Sequence, residues 1–103
     1  MGRRLVDVDY HDPVLEQLAK QADFAPKGWS RDVVRSYRKK MQIIRNAKDE
    51  RDLRNMRGLR LEKLKGDREG QFSIRLNDQF RLVLTFETVD DRTAVILEIV
   101  DYH

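Results

Sequence analysis

With 103 residues and 40% hydrophobic content, the chain is long enough for one packed core and too short for two, so residues 1–103 read as a single domain. It has no cysteine and only two histidines, His11 and His103, which excludes disulfides and thiolate metal sites and argues against a structural zinc. The 21 basic and 18 acidic residues leave a net charge of +3; no apolar run approaches the ~20 residues of a membrane span and the start lacks a signal-peptide core, so a soluble, cytoplasmic protein is expected.

Residues 4–8 predict a short edge strand with Leu5 and Val8 as its apolar content. Asp12 followed by Pro13 is a helix N-cap followed by the residue best suited to the first helical position, and Val14, Leu15, Leu18 and Ala22 keep helical spacing. A first helix to about residue 22 follows. Pro26 and Gly28 interrupt the chain before Ser30, a second N-cap residue. Beyond it Val33, Val34, Tyr37, Met41 and Ile44 form an apolar stripe, with Arg35, Arg38, Lys39, Arg45 and Lys48 around the rest of the surface. The second helix therefore runs to about residue 47, with Trp29 packing beside its start as a lid on the core. Residues 49–56 allow one further helical turn around Leu53.

Residues 61–81 organise what remains. A basic loop punctuated by Gly66 and Gly70 gives way to alternation, with Phe72, Ile74 and Leu76 on one side and Gln71, Ser73 and Arg75 on the other. After Asn77, Asp78 and Gln79 the alternation resumes, with Phe80, Leu82, Leu84 and Phe86 against Arg81, Val83 and Thr85. A hairpin turning at residues 77–79 sets Leu76 against Phe80, Ile74 against Leu82 and Phe72 against Leu84, whereas a two-residue loop mixes the faces. The first register also sets Arg75 opposite Arg81. Like charges so placed cost up to about 1 kcal/mol, which a bound anion would relieve; two solvated arginines are the plainer alternative.

A turn over residues 89–92 precedes the last strand, residues 93–100, where Ala94, Val95, Ile96, Leu97, Ile99 and Val100 are broken only by Glu98. Such a strand has both faces at least partly covered. The order predicts an α+β fold with both helices on one face of a small, twisted, mainly antiparallel sheet. Chemistry is left to the other face, which carries Arg75, Arg81 and Gln79. A basic stripe reaches it from Arg54 through Arg57, Arg60, Lys63, Lys65 and Arg68, a pattern suited to a phosphate backbone as well as to a merely solvated face. His103 ends the chain after Asp101 and Tyr102. Histidine titrates near pH 6.5, so beside arginines it could serve as the acid in phosphodiester cleavage; a frayed end is the alternative.

The segments Leu61-Glu62-Lys63-Leu64-Lys65-Gly66-Asp67-Arg68-Glu69-Gly70, Ser73-Ile74 and Asn77-Asp78-Gln79-Phe80-Arg81, with Asp101-Tyr102-His103 at the end, together resemble the HigB branch of the RelE/ParE toxin superfamily. The resemblance covers the chain from about residue 52 onward, and the two preceding helices fit the family layout. It implies the toxin of a type II toxin-antitoxin pair, which enters the A site of the small ribosomal subunit and cuts translated mRNA by attack of a ribose 2′-OH on the adjacent phosphate. No metal or cofactor is implied. The implied partners are a helix-turn-helix antitoxin of the HigA type, the ribosome and mRNA, with no membrane.

By position, Lys65 matches the family's loop lysine, Arg81 its strand arginine, and Asp101, Tyr102 and His103 its C-terminal set. The expected roles are Arg81 on the phosphate, His103 as general acid, Lys65 as a second phosphate cation or a base, Tyr102 stacked on a base or bonded to the ribose, and Asp101 orienting its neighbours. Two positions depart from the pattern. Glu62 stands where some members carry a histidine, and Gln79 replaces an asparagine. Arg68 and Arg75 are expected contacts to mRNA or ribosomal RNA. A ParE-like gyrase poison and a non-catalytic RNA-binding module are the other readings, and the Leu64-Lys65-Gly66-Asp67 loop with the terminal Asp101-Tyr102-His103 argues against the first.

Overall fold

The computed structural model describes residues 7–88 and 92–101, so residues 89–91 of the turn predicted at 89–92 and the candidate residues Tyr102 and His103 lie outside the described residues. Strand β1 (Asp7–Tyr10) alternates exposed Asp7 and Asp9 with half-buried Val8 and Tyr10; it includes residues 7 and 8 of the predicted edge strand and continues to Tyr10, while residues 4–6 of that prediction lie outside the described residues. Asp12 then caps helix α1 (Pro13–Lys20) as expected, its Oδ1 accepting from the Val14 amide at 2.9 Å. The helix ends two residues early. Leu15 and Leu18 are fully buried, whereas Val14 is exposed.

Helix α2 (Arg31–Asn46) buries Val33, Tyr37, Met41 and Ile44, a stripe at spacings of four, four and three. Its side chains also finish α1. The Tyr37 hydroxyl donates to the Leu15 carbonyl at 2.7 Å, while Arg38 donates to the Leu18 and Gln21 carbonyls at the end of α1 and to that of Phe24 beyond it, so helix-end oxygens are satisfied by the neighbouring helix. Burial raises the Tyr37 hydroxyl well above the ordinary tyrosine range, and it stays a neutral donor. Trp29 is half-buried against the core. Helix α3 (Glu50–Arg54) is the predicted turn; Leu53 is buried and Asp49 caps it through the Asp52 amide.

Among the described residues five strands form one sheet in the order β1-β5-β4-β3-β2. Strand β2 (Glu62–Lys63) pairs antiparallel with β3 (Phe72–Arg75), β3 with β4 (Phe80–Thr88), and β4 with β5 (Arg92–Asp101); β1 alone runs parallel, alongside β5. The hairpin register is the one the faces require. Phe72 faces Leu84, Ile74 faces Leu82 and Arg75 faces Arg81. These apolar residues, with Ala94 and Ile96, meet α1 and α2 in a single buried cluster. Among the described residues no helix is long and apolar enough to cross a membrane.

A bulge shapes the end of β5. Val83 pairs with Glu98 but Leu84 with Ile96, which leaves Leu97 as the extra residue. From there the faces swap, so Ile99 returns to the core and Glu98 joins Arg81 on the far side. Asp101 ends up opposite Phe80 rather than beside Arg81 in the pleat.

Candidate functional site

The sheet face away from the helices carries Ser73, Arg75, Arg81, Val83, Val95 and Glu98, and it is not open. Ser73, Arg81, Val83 and Val95 are buried on it. The segment from residue 60 to 70 is tied down over this face: Thr85 Oγ1 donates to the Gly70 carbonyl at 3.0 Å, and Arg68 pairs with Glu98 at 3.3 Å. Two features let the chain turn there. Gly66 and Gly70 have φ of 67° and 90°, in the left-handed region that glycine enters without penalty. Arg60 adopts the same region at φ 51°, closing a short 3-10 turn whose Leu59 is anchored in the core.

Arg81 is the fixed point. Its side chain is only 8% exposed, with Nη2 donating to the Arg60 carbonyl at 2.8 Å and Nη1 lying 3.6 Å from Oε1 of Glu62, itself 50% exposed. A guanidinium held in this way is aimed before any ligand arrives. Glu62 reaches it because β2 pairs with β3, placing Glu62 beside Ser73. Reading residues 61–65 as loop misses this strand; two residues are too short for an alternation to show.

Arg75 faces Arg81 across the hairpin and is ion-paired with Asp78 in the turn. The opposed arginines thus each carry an internal carboxylate, Asp78 and Glu62, so their repulsion is relieved within the fold. Between them opens a cleft of about 300 Å³ lined by Arg60, Arg75, Asn77, Asp78 and Arg81. The Gln79 side-chain amide donates to Oδ2 of Asp101 at 3.1 Å, linking the hairpin turn to the end of β5.

Lys65 does not line this cleft. It lies on a neighbouring concavity of about 630 Å³, formed with Lys63, Leu64, Gly66, Glu69 and Gly70. Arg68 is engaged by Gln71 as well as Glu98, so it braces the loop. The structure therefore brings Arg81, Glu62 and Arg75 together on the far face of the sheet, joins Gln79 to Asp101 separately at the end of β5, where Asp101 stands opposite Phe80, and sets Lys65 and Arg68 on the adjoining loop. A third cavity, of about 340 Å³, is lined by Phe24, Pro26, Trp29 and Val34 with Arg31, Arg35 and Arg38. It has no acid–base pair.

Two contributors escape sequence reasoning. The Arg60 carbonyl could not be found, since a backbone group leaves no trace in residue type. Asn77 had a signal: its Oδ1 accepts from the amides of Gln79 at 2.9 Å and Phe80 at 2.7 Å, the turn that asparagine favours ahead of a strand.

A family model described as the RelE-like toxin of the type II toxin-antitoxin system HigB matches residues 8–103. Among solved structures the chain is similar to a YoeB/ParE toxin from Agrobacterium tumefaciens, at TM-score 0.55 and 13% identity, covering 95% of this chain and 100% of that one; the likeness is one of fold. No curated protein sequence matches.

Proposed function

The chain belongs to the HigB-like family of RelE-like toxins of type II toxin-antitoxin systems, and from that premise we propose that it is a ribosome-dependent endoribonuclease that cuts translated mRNA in the A site. Family membership carries with it an antitoxin partner. The observation that supports the nuclease reading best is Arg81, a buried guanidinium held by the Arg60 carbonyl and Glu62 on the wall of the cleft it shares with Arg75.

The reaction transfers a phosphoryl bond within the RNA. The ribose 2′-oxygen attacks the adjacent phosphorus, the 5′-oxygen leaves, and the products are a cyclic phosphate and a free 5′-hydroxyl. Three needs follow: a base for the 2′-OH proton, cations for the charge growing on the non-bridging oxygens, and an acid for the leaving oxygen. Arg81 meets the charge, with phosphate exchanging against Glu62 as its partner. Glu62, half-exposed and beside that guanidinium, takes the 2′-OH proton. His103 gives a proton to the 5′-oxygen. Lys65 and Arg75 add positive potential, Tyr102 stacks on a base, and the Gln79–Asp101 hydrogen bond holds the strand end. The cytoplasm, where ribosomes work, is the place of action, with a HigA-type helix-turn-helix protein as antitoxin.

Primer extension on a defined mRNA, with and without translating ribosomes, tests the proposal when run alongside Arg81→Ala and His103→Ala. Cuts at fixed codon positions that need ribosomes and fade in both variants are expected. Cuts on naked RNA would mean a free ribonuclease. Absence of cuts, coupled with inhibition of gyrase supercoiling, would move the chain to the gyrase poisons.

A further inference from the structure

One side chain joins the helical layer to the site. Asn77 sits at the start of the β3–β4 turn, where its Oδ1 accepts from the Gln79 and Phe80 amides and its backbone carbonyl accepts from Arg75 Nε at 3.4 Å. Its remaining amide group points the other way. Nδ2 donates at 2.9 Å to Oδ2 of Asp32, the second residue of α2, 45 residues earlier in the chain. Asp32 is in turn engaged by the Ser30 hydroxyl.

Ser30 therefore does not cap α2 with its own side chain, as its position in the sequence suggests; it spends its hydroxyl on Asp32. A carboxylate in the first turn is already favoured by the helix dipole, and the Ser30 and Asn77 hydrogen bonds hold the Asp32 carboxyl below the usual aspartate range. It is the charged form that accepts from Asn77. An unbroken line results: α2, Asp32, Asn77, the turn with Arg75 and Gln79, and through Gln79 the Asp101 carboxylate.

We propose that Asp32 and Asn77 are positioning residues, a hydrogen-bonded latch between the first turn of α2 and the hairpin turn that fixes Arg75 and Gln79, and through Gln79 the end of β5. The inference rests on the nuclease reading for its effect on rate. The latch itself does not. Without it the turn still closes through Asn77 Oδ1 and its flanks Leu76 and Phe80 stay packed on the core, but the hydrogen bond from its tip to α2 is lost, and the Arg75 and Gln79 side chains held at that tip lose their fixed aim relative to Arg81. Displacements of about 1 Å remote from the reacting atoms can cost roughly 100-fold in rate, so a loosened turn is enough.

Asn77→Asp is the discriminating variant. It keeps an oxygen for the Gln79 and Phe80 amides, removes the donor, and sets two carboxylates face to face. Combining it with Asp32→Asn lets carboxylate and amide trade places, and the hydrogen bond re-forms with its donor on the helix. Backbone amide exchange at Gln79 and Phe80 should be at least roughly tenfold faster in Asn77→Asp and return toward wild type in the exchanged pair. In single-turnover cleavage on programmed ribosomes, Asn77→Asp should lose roughly 10- to 100-fold in saturated rate, with the half-saturating concentration within about threefold of wild type, and the pair should recover most of the loss. Unchanged amide exchange in Asn77→Asp overturns the latch. A wild type that cuts while Asn77→Asp cuts equally fast, or a pair that stays as slow as the single variant, overturns the positioning. A wild type that cuts nothing on ribosomes overturns the functional reading instead, while the exchange experiment still decides the latch.

Discussion

A buried arginine beside a half-exposed glutamate is the smallest unit that matters here. Arg81 is held by a carbonyl and a carboxylate at fixed places, and lysine offers neither the planar fork nor the same reach. Arg81→Lys should thus keep the charge but lose roughly 100-fold or more in ribosome-dependent cleavage, close to Arg81→Ala; near-normal cleavage would show that charge alone suffices. Glu62→Gln should lower the saturated cleavage rate by roughly 10²- to 10⁴-fold if Glu62 takes the proton, and a rate near wild type would leave it only as the counter-charge of Arg81. Tyr37 makes a separate point, about stability. Because burial raises its pKa in the folded state, the stability it confers is fully present below the unfolded value near pH 10 and is lost as pH rises past it. Urea midpoints at pH 9 and pH 11 should fall further in wild type than in Tyr37→Phe. At neutral pH that variant should cost about 1 kcal/mol, since the buried hydrogen bond from the Tyr37 hydroxyl to the Leu15 carbonyl is lost.

At the level of elements, the segment over the far face of the sheet does what a loop of 11 residues cannot do by flexibility alone. It is pinned by Thr85 to Gly70 and by Arg68 to Glu98, and it bends where two glycines allow positive φ. A side chain added at Gly70 would meet open space, so any cost is conformational. Gly70→Ala should destabilise the fold by about 1–2 kcal/mol in urea titrations, and a change within error would mean that the loop relaxes to another turn. The bulge at Leu97 has a comparable role in β5. By swapping the faces it puts Ile99 into the core and frees Glu98 to reach Arg68.

For the molecule as a whole, the division of labour follows from which face each layer buries. Helices α1 and α2 cover one side of the sheet, and the basic loop and its arginines occupy the other. The net charge of +3 is small, yet Arg60, Lys63, Lys65, Arg68, Arg75 and Arg81 gather at one side and end of the sheet. Association with ribosomes should therefore weaken linearly in log–log salt titrations, with about 0.7–0.9 of slope per phosphate contacted. Lys65→Ala, at an exposed position, should reduce that slope by roughly one contact. A salt-independent affinity would remove RNA phosphate from the recognised surface.

Periodicity and end signals were enough for much of this protein. The stripe of α2, the Asp12 cap, the hairpin register and the opposition of Arg75 to Arg81 are all consequences of nearest neighbours along a strand or helix, where spacing alone dictates facing. The helices on one face and the arginines on the other follow from the same patterns. What local pattern could not contain was anything set by chain segments far apart. The two-residue strand that brings Glu62 to Arg81, the Arg60 carbonyl, the Leu97 bulge and the reach of Asp32 to Asn77 across 45 residues exist only once the layers have packed. Residue types proposed the charges of the site; their distances were decided by packing, because a hydrogen bond between remote segments depends on where the backbone has already been placed.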